Sequence, residues 1–231
     1  MKAVPMRIAA AVSFLLAAVA PAAAQTALGP PGPVLEAMRR DFPLDHRALA
    51  ATLAGKPPQD ARRLAYAGID RFLRARRAAI LAAPGSALVA IESRQGAMLR
   101  ALSRQDVGLC ARVGDRGFFS PEASQGTAPE GLDDYGVALV EAAKTGAGRP
   151  PALPAASEED VLAWLAAVGK IEPGVPVRAM LADRELRARS TPDQLCRGAA
   201  AMHEAVATLP PATAERIART LLSSVVGSTA P

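Results

Sequence analysis

Alanine and leucine carry the apolar character of this chain, and that restricts what it can fold into more than any motif does. Half of the 231 residues are hydrophobic and 53 are alanine, yet only 3% are aromatic. Alanine and leucine are the strongest helix formers, whereas strands draw on valine, isoleucine and aromatic side chains. The expectation is an all-α fold. A charged fraction of 21% beside so much apolar content argues against a disordered chain.

The first residues read as an address. Lys2 and Arg7 precede a thirteen-residue apolar run, Ile8 to Ala20, and the small residues Ala22, Ala23 and Ala24 follow Pro21. This is the pattern of a secretory signal peptide over residues 1–24, with cleavage expected after Ala24. Thirteen residues make roughly 20 Å of helix against the ~30 Å of a hydrocarbon core, so no transmembrane anchor is expected after cleavage. The processed chain, 25–231, would hold 207 residues and a net charge of +3, because cleavage removes two of 27 basic residues and none of 22 acidic ones. A periplasmic or secreted location follows. With few aromatics between the arginines to stack on bases, no nucleic-acid partner is expected.

Cys110 and Cys196 are the only two thiols. An even count in a chain bound for an oxidising compartment predicts a disulfide. Closing so long a loop would stabilise the fold by about 4 kcal/mol in the chain-entropy treatment, less any strain.

Breakers and caps divide the rest. Residues 25–33 read as an extended leader, 34–226 as a single all-helical domain, and 227–231 as a frayed tail. Within the domain an N-terminal helical group, 34–112, holds a unit broken at Pro43 with Asp45 as a cap, a long helix from Asp60 to Ala83, and another from the cap Ser86 to Arg112. The Gly-, Ser- and Pro-rich stretch 113–131 reads as a central loop. A C-terminal group, 132–226, opens with a helix from Leu132 to Lys144 stopped at Gly146. A second is capped by Ser157 and stopped at Gly169. A less regular segment, Val175 to Arg189, also reads as helix. Thr191, Pro192 and Gln194 have the spacing of a capping box with proline at the first helical position. A last helix runs from Thr213 to Val226. The count is seven or eight short helices in two groups, joined by the disulfide.

Chemistry is hard to find in these residues. His46 and His203 are too few for a metal site, and His203-Glu204 lacks the second histidine of a zinc-protease helix. His203 falls beside an apolar stripe with Cys196 and Ala200 and reads as a half-buried packing residue. The acidic groups Glu158 to Asp160 and Asp133-Asp134 fit helix first turns, where negative charge is favoured. No phosphate loop or nucleophile elbow is present, so no catalytic residue, metal or cofactor is expected.

Two features are left as a candidate contact site. The helix from 60 to 83 is coated with arginine, including Arg71, Arg74 and Arg77, and could meet an anionic membrane surface, an acidic glycan or an acidic partner, although a solvent face with Asp70 and Arg74 paired across one turn is the simpler reading. Phe118 and Phe119 sit in the central loop, either plugging the core or forming a contact. These features point to an exported, non-enzymatic helical protein of the bacterial cell envelope, acting as a protein-protein interaction or structural module with an envelope partner. The alternative is a carrier with an apolar pocket for a small molecule or lipid between the helix groups. A thiol-dependent enzyme would require the disulfide to be absent.

Overall fold

A computed structural model describes residues 32–116, 130–149 and 156–225. Among these residues the chain is helical throughout, with no strand: α1 (Pro33–Asp41), α2 (Pro43–Leu53), α3 (Pro58–Ala75), α4 (Arg77–Leu81), α5 (Gly85–Gln105), α6 (Val107–Arg116), α7 (Leu132–Thr145), α8 (Glu158–Ile171), α9 (Val177–Ala182), α10 (Arg184–Arg189), α11 (Pro192–Val206) and α12 (Pro211–Val225). The expected signal peptide, most of the leader, the tail and the Phe118-Phe119 pair lie outside the described residues.

Twelve helices stand where seven or eight are expected: the unit broken at Pro43 makes two, α1 and α2, and three further apolar runs are each interrupted at one residue. Two of the breaks are made by aspartate. The Asp106 carboxylate accepts the Leu109 N–H at 2.8 Å and starts α6, and Asp183 accepts the Glu185 and Leu186 N–H groups to start α10. An N-cap aspartate satisfies donors at a new helix start, so periodicity continues across the break while the axis changes. The third break is at Arg76, whose guanidinium donates to Asp45 at 2.8 Å and lies 5.1 Å from the Phe42 ring centre. Asp45 is therefore bound to Arg76 and is not the cap of α2, which starts at Pro43. Ser86 is likewise inside α5, whose N-cap is Pro84. The central loop starts later than expected, since α6 runs to Arg116. The capping boxes at Ser157 with Asp160 and at Thr191 with Gln194 both form, and Gly146 caps α7; α8, however, continues past Gly169 to Ile171.

Helix α5 is the central strut, about 30 Å long at its 21 residues. Its most extensive contact is with α11. The two backbones approach closely because Gly96 has no side chain: a Cβ there would lie 2.7 Å from Glu204 Cγ and 3.1 Å from its backbone nitrogen. The Ala200 carbonyl oxygen lies 3.3 Å from the same point, and Leu99 and Ala200 are fully buried. Helix α7 packs against α1, α4 and α5, so helices do not group in space by their order in the chain. Gly131, in the left-handed region at φ +83°, turns the chain into α7 against Met98, a conformation that favours glycine. On the other side Trp164 of α8 donates its indole N–H to the Met202 carbonyl at 2.8 Å.

Polar ties fix the outer helices. Arg216 of α12 grips the Asp160 carboxylate through two bonds of 2.7 and 2.6 Å, joining α12 to the start of α8. Arg100 of α5 bonds Glu204 at 2.9 Å and Glu172 at 3.3 Å, and Arg197 of α11 also holds Glu172.

Candidate functional site

Cys110 of α6 and Cys196 of α11 form a disulfide, with Cα atoms 5.4 Å apart and both residues sealed from solvent. The bridge lies beside α5 in the main core, where both α6 and α11 pack against that helix. Both thiols are therefore consumed in the bond.

His203 is deeper than expected. It is buried, not half-buried, and its Nδ1 lies 2.5 Å from Oε2 of Glu92, a residue with no exposed surface at all. Gln95, one turn along α5, is buried as well. Burial pushes the Tyr135 hydroxyl well above the usual phenol range, and the negative charge of Glu92 adds to the effect. A buried carboxylate, imidazole, amide and phenol thus share one region of the core. The sequence carried a sign of this: Glu92 and Gln95 fall four and seven residues after Leu88, on the apolar face of α5 itself. These groups are walled off from solvent, which suits a role in specifying how α5 and α11 pack.

The arginine-rich segment divides by environment. Arg71 is exposed on α3, while Arg74 and Arg77 line a cleft of about 750 Å³ at the end of α3, α4, the C-terminal turn of α7 and α12. Arg149, Arg219, Thr220 and Ser223 line it too. The cleft exists because α7 ends against α4 at Gly146, where a Cβ would stand 1.9 Å from the Ala79 carbonyl oxygen. Arg74 pairs with Asp70 at 2.7 Å, and Arg77 donates to the Ser223 carbonyl at 3.0 Å. Arg219 is only 8% exposed; its Nη2 bonds Glu215 at 2.6 Å, while its buried Nε and Nη1 find no acceptor. No carboxylate stands among the described lining residues. Sequence reasoning did not find Arg219 or Arg149, since neither belongs to a charge run and the bend that gathers them is tertiary.

A smaller apolar gap, about 40 Å³, lies between α6, α9, α10 and α11 and is lined by Val177, Met180, Leu195, Ala199 and Met202. It has room for a few water molecules at most. Among the described residues no three His, Cys, Asp or Glu side chains converge to hold a metal ion, and no helix is long and apolar enough to cross a membrane. Phe118 and Phe119, the other half of the candidate contact site, lie outside the described residues. No protein-family model, curated protein or solved structure matches this chain.

Proposed function

We propose that the chain is an exported, non-enzymatic helical protein of the bacterial cell envelope that works by binding, with its arginine-rich side as the contact surface. The observation that carries the reading is the Cys110–Cys196 disulfide in the core. Such bonds persist in oxidising compartments, in keeping with the signal-like residues 1–24. It also uses both thiols, which argues against the thiol-enzyme alternative.

The carrier alternative places its pocket between the helix groups, and the 750 Å³ cleft does lie there, between residues 74–82 of the first group and 146–149 and 219–223 of the second, but four arginines line it. The 40 Å³ gap beside α11 is too small for an acyl chain. The space lined by Arg77 and Arg149 is large enough for a small molecule.

The test is the intact mass of protein from the exported fraction, alkylated with and without prior reduction. The expected result is the mass of residues 25–231, unlabelled until reduction and then labelled twice. Two labels without reduction would refute the proposal.

A further inference from the structure

We infer that the cleft between α4, α7 and α12 binds a phosphate monoester carrying a small apolar substituent. This rests on the reading of the protein as a binding protein and names what its arginine-rich side recognises. Four arginines, Arg74, Arg77, Arg149 and Arg219, line the cleft from α3, α4, the turn after α7 and α12. Two are matched by acids behind them, Arg74 by Asp70 and Arg219 by Glu215. Arg77 and Arg149 leave about two positive charges with no carboxylate among the described lining residues.

Arg219 is the residue that a purely structural account does not explain. A guanidinium more than nine-tenths buried, with two of its three nitrogens lacking acceptors, loses hydration without full compensation. Nη2 is held by Glu215 while Nε and Nη1 have no exposed surface, so Arg219 contributes positive potential to the cleft and not a free donor, and an anion there is attracted by it. A phosphate ester offers three terminal oxygens to donors arriving from several directions and carries about 1.5–2 negative charges near neutral pH. A single carboxylate offers two oxygens in one plane and one charge. The hydroxyls of Thr220 and Ser223 border the same space, and Ala78, Leu81 and Ala82 give it an apolar wall for the substituent. At about 750 Å³ the cleft has the size of a small-molecule site.

The experiment is titration calorimetry on the oxidised processed chain with phenyl phosphate, inorganic phosphate and benzoate, and co-sedimentation with phosphatidylcholine vesicles with and without phosphatidic acid. Binding of phenyl phosphate more tightly than benzoate is expected, and it identifies a soluble ester as the source of the phosphate. Binding only to the vesicles containing phosphatidic acid identifies a lipid headgroup as the source, with the same recognition chemistry. In either case Arg149→Gln should weaken binding about tenfold or more, the effect of removing a charge-assisted hydrogen bond, and Arg219→Met should weaken it less, through the lost charge alone. Arg149 is exposed, so its variant tests the inference even if Arg219→Met fails to fold. Absence of saturable binding to every phosphate probe, equal binding of benzoate, or binding undiminished in Arg149→Gln would overturn it. A cleft that fails while both thiols stay bonded leaves the export reading intact; free thiols with phosphate binding retained refute the export reading and leave the cleft.

Discussion

Removing one partner of the Glu92–His203 pair should cost far more than removing both. Glu92 has no exposed surface and His203 is 5% exposed, with 2.5 Å between Oε2 and Nδ1. Only one carboxylate oxygen is used; Oε1 has no hydrogen-bond partner. Replacement of His203 by methionine strips Glu92 of its one bond and leaves a buried carboxyl group unpaired. Breaking such a pair costs about 3–5 kcal/mol, whereas replacing both members with apolar side chains of similar volume is often neutral or stabilising. Glu92→Met keeps the length of the side chain and leaves the imidazole unpaired. Each single variant should therefore lower stability by about 3 kcal/mol or more, equivalent to about 6–12 °C in Tm for a protein of this size. The double variant, Glu92→Met with His203→Met, should come back to within about 1 kcal/mol of the parent. Urea unfolding followed by circular dichroism, with m-values compared across the four proteins, measures the cycle. Single variants as stable as the parent, or a double variant that loses the sum of the two, would refute the reasoning.

Other outcomes follow from the same contacts. Gly146→Ala forces a Cβ to within 1.9 Å of the Ala79 oxygen and 2.8 Å of the Ala83 nitrogen, both backbone atoms, so thermal melting should show a loss of about 1–3 kcal/mol or more. Gly169→Ala, inside α8 with nothing within 4 Å of the added carbon, should instead gain up to about 1 kcal/mol in the same assay. Replacing Cys110 and Cys196 together by alanine should cost about 4 kcal/mol in chemical denaturation, because the bridge spans 86 positions. Since both cysteines are sealed, reduction by dithiothreitol should track unfolding, with urea accelerating it sharply. The Arg216 guanidinium and the Ser157 N–H hold the Asp160 carboxyl well below its ordinary value, and Arg197 and Arg100 lower that of Glu172. A lowered native pKa contributes stability that is fully present above the unfolded value near pH 4 and is lost as pH falls towards the native one. Urea midpoints measured from pH 6 to 2 should fall through that window, less steeply in Asp160→Asn.

Local chemistry was legible wherever it is complete within a few residues. The Ser157 cap and the Thr191 capping box need only three or four successive positions, and Gly146 ends α7 where its sequence stops being periodic. Leu88, Ile91, Met98 and Leu102 recur at helical spacing, and all four are buried on α5. The extra breaks were less visible because Asp106 and Asp183 cap new helices without disturbing that periodicity; a capping aspartate within an apolar run looks like any exposed charge.

The sequence by itself determined the helical class, for alanine and leucine set a backbone preference that every turn expresses locally. It also determined that two cysteines were available to pair, since their number needs no geometry. Which charges are buried was decided only by tertiary structure. Glu92 meets His203 across 111 positions because Gly96 lets α5 and α11 approach, and Arg219 is drawn into the cleft with Arg77 and Arg149 because Gly146 docks α7 on α4. Desolvation and charge pairing depend on neighbours in space, and those neighbours are set by helix docking instead of by spacing along the chain.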